Sequence, residues 1–113
     1  MGDEVFGTIV SAPGLGTKRG SLATEICVNT GDITHKPATI DFEHAAVMGV
    51  AALTVGGAFR RIGLSANDTV VISAASGGIG STAAQYAVAR GTRVIGIASA
   101  ANAEFIKSMG AVP

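Results

Sequence analysis

Charge is scarce in this sequence. Asp, Glu, Lys and Arg make up 14% of the 113 residues, against about 25% in an ordinary soluble domain. Eight cations balance eight anions, so there is no basic footprint for nucleic acid and no acidic tail. A single cysteine excludes an internal disulfide and a cysteine-rich zinc site, and no signal-peptide pattern opens the chain. A reducing, cytoplasmic setting is therefore expected. The uncharged apolar run Ala45 to Phe59 is shorter than the roughly 20 residues that span a bilayer. It reads as a buried helix, and no membrane partner is expected. Disorder is excluded by the 48% apolar content, since disordered chains are polar and charge-rich. The length permits one small domain or pieces of two. So few charges cannot solvate a complete surface. Either the protein forms homo-oligomers, or this chain is part of a larger protein whose other pieces cover its apolar faces.

The first forty residues read as short strands and loops. Gly2 to Gly7 is a turn feeding a strand, extended by Thr8-Ile9-Val10. Ala12 to Gly20 is a glycine-rich loop with two cations. Ser21 to Asn29 suits a second strand, and Thr30 to Pro37 is polar and turn-rich. Asp41 is placed as the N-cap of a helix with Glu43 in its first turn. His44 stands where a capping box would have Glu. The helix runs to Arg60-Arg61 and stops at Gly63. Leu64 to Asp68 forms a turn, where Asn67 tolerates a left-handed conformation.

Beyond Asp68 the pattern changes. Thr69 to Ala74 is a β-branched apolar run of the kind that forms a buried parallel strand. Ala75-Ser76-Gly77-Gly78-Ile79-Gly80 is a glycine turn, and Ser81 to Arg90 is a helix with a small inward face of Ala83, Ala84, Ala87 and Val88. Arg93 to Ile97 is a second strand, and Asn102 to Met109 a further helix stopped at Gly110. Strand, glycine turn, helix and strand together make a βαβ unit.

In that context the glycine turn predicts a dinucleotide site. Ala75 replaces the first glycine of the usual pattern, Gly77 admits a pyrophosphate to the backbone, and Gly80 lets the helix pack closely on the strand. The helix N-terminus offers free N–H groups and a positive dipole end. The simpler reading, a ligand-free turn, does not require three glycines in four positions. An NAD site places an acid at the end of the second strand. Here that strand runs into Ile97-Ala98-Ser99, and no acid occurs before Glu104. NADP is therefore favoured, with Ser99 as a donor to its 2′-phosphate.

These segments resemble, in order, the zinc-independent branch of the medium-chain dehydrogenase/reductase superfamily, which contains quinone oxidoreductases and enoyl reductases. The likeness is carried by Gly2 to Gly7, Gly20 to Glu25, Lys36-Pro37, Asp41 to Ala46, Leu53-Thr54, Ala75 to Gly80 and Met109 to Ala111. The resemblance implies an α/β fold. Residues 1–43 would be the end of a GroES-like β-rich catalytic domain, and 44–113 the first half of a Rossmann domain, a doubly wound parallel sheet. It implies a partial chain, inactive alone, from an NADPH-dependent enzyme. That enzyme would transfer a hydride to a small-molecule substrate, a quinone or an α,β-unsaturated carbonyl compound. It places Thr54 near the cofactor, with Ser76, Gly77, Gly78, Ile79, Gly80, Ser99 and Asn102. Val50 stands where zinc-bearing relatives have a cysteine ligand, so no metal is expected. Two other readings remain open. One is a nucleotide-binding module without catalysis. The other is a short-chain dehydrogenase, whose glycine turn is similar but lies near the chain start. Cys27 reads as a small buried hydrophobe in a strand, and Tyr86 as a packed or exposed residue. His35 and His44 have no partner at metal-ligand spacing.

Overall fold

A computed structural model describes residues 2–9 and 21–113. The predicted loop at 12–20 and Val10 lie outside the described residues. The chain divides into two compact units, Met1–Val50 and Ala51–Pro113.

In the first unit, β1 (Val5–Gly7) pairs antiparallel with β2 (Ile33–His35), setting Phe6 opposite Thr34. Gly7 is required there, because a β-carbon would run into the Asp32 carbonyl. The segment read as polar and turn-rich thus contains a strand. Three residues, two of them exposed, carry no alternation to announce it, and backbone bonds such as Lys36 N–H to Glu4 O at 2.8 Å set the pairing. Lys36 anchors the unit further. Its Nζ donates to Ile40 O at 2.6 Å, lies 3.0 Å from Glu4 Oε2, and sits 5.1 Å from the centre of the Phe42 ring. The strand expected at Ser21 to Asn29 is absent. Ala23 N–H bonds back to Ser21 O at 2.9 Å, a turn contact, and Leu22 and Ile26 are exposed. Cys27 is exposed as well, not buried in a strand.

The helix α1 (Phe42–Ile62) starts and stops as its sequence dictates. Asp41 Oδ1 accepts from His44 N–H at 2.7 Å and from His44 Nδ1 at 2.6 Å. The cap is therefore satisfied at the N3 amide, while the imidazole returns to the same carboxylate. At the other end Gly63 adopts φ +65, Gly63 N–H bonds Arg60 O, and Leu64 N–H bonds Phe59 O. That pair of bonds is a Schellman ending, and the left-handed residue in it favours glycine. By length and composition α1 is apolar enough to cross a bilayer, with a mean hydropathy of 1.4. Core helices of soluble proteins share that property. The expectation of a buried helix is corrected, however. Ala45 and Val55 are buried, but Val47 is 77% exposed, and Val50 and Leu53 62% each. Periodicity reports that a helix has apolar residues and not whether this chain holds the surface that covers them.

In the second unit, β3 (Thr69–Ser73) and β4 (Arg93–Ile97) are parallel, with Ile72 opposite Gly96, and α2 (Gly78–Ala89) crosses between them. α2 begins three residues earlier than the sequence suggested, so the last part of the glycine turn is itself the first helical turn. Its inward alanines, Ala83, Ala84 and Ala87, are buried with Val55, Ile72, Val94 and Ile106. α3 (Ala103–Ser108) follows, preceded by a 3-10 turn at Ala100–Asn102. The chain then returns to the outer side of β4, where Val112 N–H bonds Val94 O and Gly96 N–H bonds Val112 O. β3 is less covered than its sequence predicted. Ile72 is buried, but Val71 is 57% exposed, because β4 is the only strand paired with it among the described residues.

The turn before β3 is closed by Asp68, whose Oδ2 accepts from Ser65 N–H at 2.7 Å and Ser65 Oγ–H at 2.9 Å. Asn67 supplies no left-handed residue there. Buried Thr92 adds a bond from its hydroxyl to Ser65 O at 2.9 Å.

The Asp41 cap gives a pH test. Bonds from the His44 amide, and then from its imidazole, hold the Asp41 carboxyl below the ordinary value of 3.8. A folded-state pKa below the unfolded one stabilises the native state above that value, and the effect is lost as pH falls through the folded pKa. Asp41→Ala should lower the thermal midpoint at neutral pH, and the difference from wild type should shrink as pH falls below 3.8 and on through the lower folded-state pKa. Circular dichroism melts across that range measure it. A deficit that persisted unchanged at the acid end would assign the effect to something other than the carboxylate.

Candidate functional site

The glycine turn sits at the carboxyl ends of β3 and β4, where open parallel sheets bind ligands. Its shape starts at Ala74, whose φ of 51 is the one positive value at a non-glycine among the described residues. A β-carbon in that region costs about 1–2 kcal/mol, and such strain concentrates at functional turns. Gly77 N–H then bonds Ala74 O at 2.9 Å, and Ala75 N–H bonds Ile97 O at 3.0 Å. The second bond fastens the turn to the end of β4. Ala75, standing where the usual pattern has its first glycine, is fully buried.

Each glycine has a distinct geometric reason. At Gly80 a β-carbon would run into the Ala74 carbonyl and lie 2.8 Å from Ala75 Cα, so helix and strand meet backbone to backbone. At Gly77 it would lie 3.3 Å from Ala74 O, a tight but tolerable contact, with φ at an ordinary −80. At Gly78 it would meet nothing within 4 Å. Gly77 is the N-cap of α2 and gives no side-chain hydrogen bond to the first turn. The first-turn amides are thus presented at an open, positively polarised helix end, which fits an anionic group brought close to the backbone.

Ser76, Ser99 and Asn102 come together beside this turn. Asn102 Nδ2 lies 3.2 Å from Ser76 Oγ and 2.9 Å from Ser99 Oγ. Nothing in the spacing of these residues announced that bridge. Ile79 is half exposed and, with Gly77, Gly78 and Gly80, lines a groove of about 730 Å³ that also takes in Phe59 and Val71. Thr54 is on an exposed position of α1, next to buried Val55, and is not among the residues lining that groove. Gly96 was not singled out in the sequence. A β-carbon there would lie 2.8 Å from Ile106 Cγ2 and 3.1 Å from Ala75 Cβ, so this glycine lets the turn and α3 close over β4. Its place inside an apolar strand was the available signal.

Other candidate groups are occupied. Tyr86 packs against Phe59 with ring centres 5.7 Å apart and accepts from Arg90 Nη1 at 3.3 Å. His44 is engaged with Asp41. Among the described residues, no three His, Cys, Asp or Glu side chains are grouped to hold a metal.

A parallel βαβ unit with a glycine turn of this shape defines an α/β fold. Comparison with known proteins narrows the class. A zinc-type alcohol dehydrogenase-like protein of Schizosaccharomyces pombe is 35% identical over 102 residues, 89% of this chain and 29% of that protein. Crotonyl-CoA reductase of Streptomyces collinus is 36% identical over 105 residues, 87% of this chain and 23% of that enzyme. The quinone oxidoreductase of Thermus thermophilus, whose structures include a complex with NADPH, matches at TM-score 0.74 and 29% identity over 83% of this chain and 32% of its own. No protein-family model matches the chain. The homologues and structural neighbours are members of the medium-chain dehydrogenase/reductase family, and this chain matches a part of them. It spans 23–32% of the length of the three proteins named here.

The packing at the turn is directly testable by urea unfolding. Gly80→Ala should cost about 1–3 kcal/mol, because α2 must move off the strand to admit the methyl group. Ala74→Gly should instead stabilise by up to about 1 kcal/mol, the released left-handed strain being partly offset by the greater freedom of unfolded glycine. Equal stability of Gly80→Ala and wild type would mean that the close approach does not hold in solution.

Proposed function

We propose that this chain supplies the pyrophosphate-binding βαβ unit of an NADPH-dependent, zinc-independent reductase. The whole protein would transfer a hydride to a quinone or to the β-carbon of an α,β-unsaturated carbonyl compound. The observation that carries the proposal is the uncapped first turn of α2, open to close approach at Gly77 and Gly78. Bound there, NADPH would supply the hydride. The chain's own work is binding and orientation. The first-turn amides would hold the pyrophosphate, and Gly80 keeps that turn fixed against β3.

Several observations support the choice of NADPH. No acid lies between the end of β4 and Glu104, and the Glu104 carboxylate is paired with Lys107 Nζ at 2.8 Å. A 2′-phosphate would therefore meet hydroxyls and not a free carboxylate beside Ser99. The Thermus thermophilus quinone oxidoreductase has an NADPH complex. The two substrate classes are those for which that quinone oxidoreductase and crotonyl-CoA reductase are named. Zinc independence rests on Val50, which stands where zinc-bearing relatives of the resembled family have a cysteine. We place the protein in the cytoplasm, as a homo-oligomer, its charge-poor composition and the apolar residues exposed on α1 favouring association.

Gly77→Val tests the site. Its ordinary φ accepts a side chain, while the tight 3.3 Å contact with Ala74 O must give slightly, so a circular dichroism melt of the variant accompanies the titration to show that it is folded. The branched side chain would nevertheless stand where a pyrophosphate approaches. In a fluorescence titration with NADPH the affinity should fall at least about a hundredfold, near 2.7 kcal/mol. Equal affinities in wild type and variant would end the dinucleotide-site assignment.

A further inference from the structure

The bridge between Ser76, Asn102 and Ser99 has a definite hydrogen-bond polarity. Ser76 belongs to the turn between β3 and α2, Ser99 follows β4, and Asn102 ends the 3-10 turn before α3. A carboxamide nitrogen carries two hydrogens, and the contacts at 2.9 Å and 3.2 Å use both. Each serine oxygen therefore accepts from Asn102 and keeps its single hydrogen to give elsewhere. Among the described residues neither hydroxyl donates to a protein acceptor. Other serines do so: Ser65 donates to Asp68 Oδ2, Ser81 to Gly78 O and Ser108 to Phe105 O. Ser99 is exposed and Ser76 partly exposed, so both hydrogens are available to a ligand.

We infer that Asn102 is a positioning residue. It fixes Ser76 and Ser99 as a pair of outward-facing donors that select a 2′-phosphate over a 2′-hydroxyl on the adenosine ribose. This rests on the dinucleotide reading above and adds two things to it: Ser76 as a partner in selection, and Asn102 acting through the serines. The reason for selection is donor–acceptor arithmetic. A phosphate presents three acceptor oxygens, and bonds to its charge are about twice as strong as neutral ones. A ribose hydroxyl offers less acceptor capacity and no charge, so it rewards a pair of fixed donors poorly. The family resemblance suggested Asn102 as a weak stand-in for a cation that relatives often carry there, facing the phosphate. In the structure its amide hydrogens face the two serines instead.

The test is calorimetric titration of the full chain with 2′-phospho-ADP-ribose and with ADP-ribose, probes that need no nicotinamide pocket. Wild type should prefer the phosphorylated probe by about tenfold. Asn102→Ala frees both hydroxyls to rotate and should reduce that ratio to about twofold, with ADP-ribose affinity within about threefold of wild type. Asn102→Asp should abolish or invert the preference, because a carboxylate accepts from both hydroxyls, turning their hydrogens inward, and repels phosphate. Ser76→Ala, a smaller change that leaves Asn102 and Ser99 paired, should lose part of the preference. A wild-type ratio in Asn102→Ala and Ser76→Ala, together with its loss in Ser99→Ala, would overturn the positioning role while leaving the dinucleotide reading intact. Wild type that prefers ADP-ribose would overturn the selection. If neither probe binds wild type, both the inference and the reading beneath it fall.

Discussion

The first turn of α2 lies so close to the end of β3 that no β-carbon fits at Gly80, and the candidate site depends on that contact. With the helix start pressed onto Ala74 and Ala75, its amides are held at the carboxyl ends of two parallel strands. The same approach requires the chain to reverse sharply, which places Ala74 in a left-handed conformation. Ala75 N–H then reaches Ile97 O and joins the turn to β4. Backbone bonds and the absence of side chains, more than any functional group, build the candidate site.

Small residues recur where elements meet because the close contact must be shared. Ala83, Ala84 and Ala87 let α2 lie low on the sheet, and Gly96 leaves room for Ile106 and Ala75 over β4. Packing density of this kind gives individually weak dispersion contacts a collective weight. It also explains why a single added carbon at Gly80 or Gly96 would meet resistance, while one at Gly78 meets open space.

The low charge content has a visible counterpart. Val47, Val50 and Leu53 on α1 and Val71 on β3 are more than half exposed. Apolar surface on such a scale favours association with further protein. Charge-poor composition and exposed apolar side chains are one property seen at two levels, and together they favour a protein that functions with more surface covered than this chain covers by itself.

Local chemistry made much of this protein legible in its sequence. The cap at Asp41, the Schellman ending at Gly63 and the stop at Gly110 depend on residues within a few positions of one another, so sequence and structure agree on them. The βαβ order was legible for the same reason: β-branched runs, a glycine turn and alanine spacing are local signals. The sequence also pointed to Ser76, Ser99 and Asn102, but without their arrangement. What it did not carry was any feature set by partners distant along the chain. The β2 strand exists because Glu4 and Lys36 bond across a long connection, and the segment 21–29 lacks a strand because no ladder partner reaches it among the described residues. The exposure of α1 depends on what surrounds it. The direction of the Asn102 hydrogens depends on bringing together two turns that lie 26 residues apart. Periodicity and spacing encode which face of an element is apolar and where it ends; only the tertiary structure decides what stands opposite.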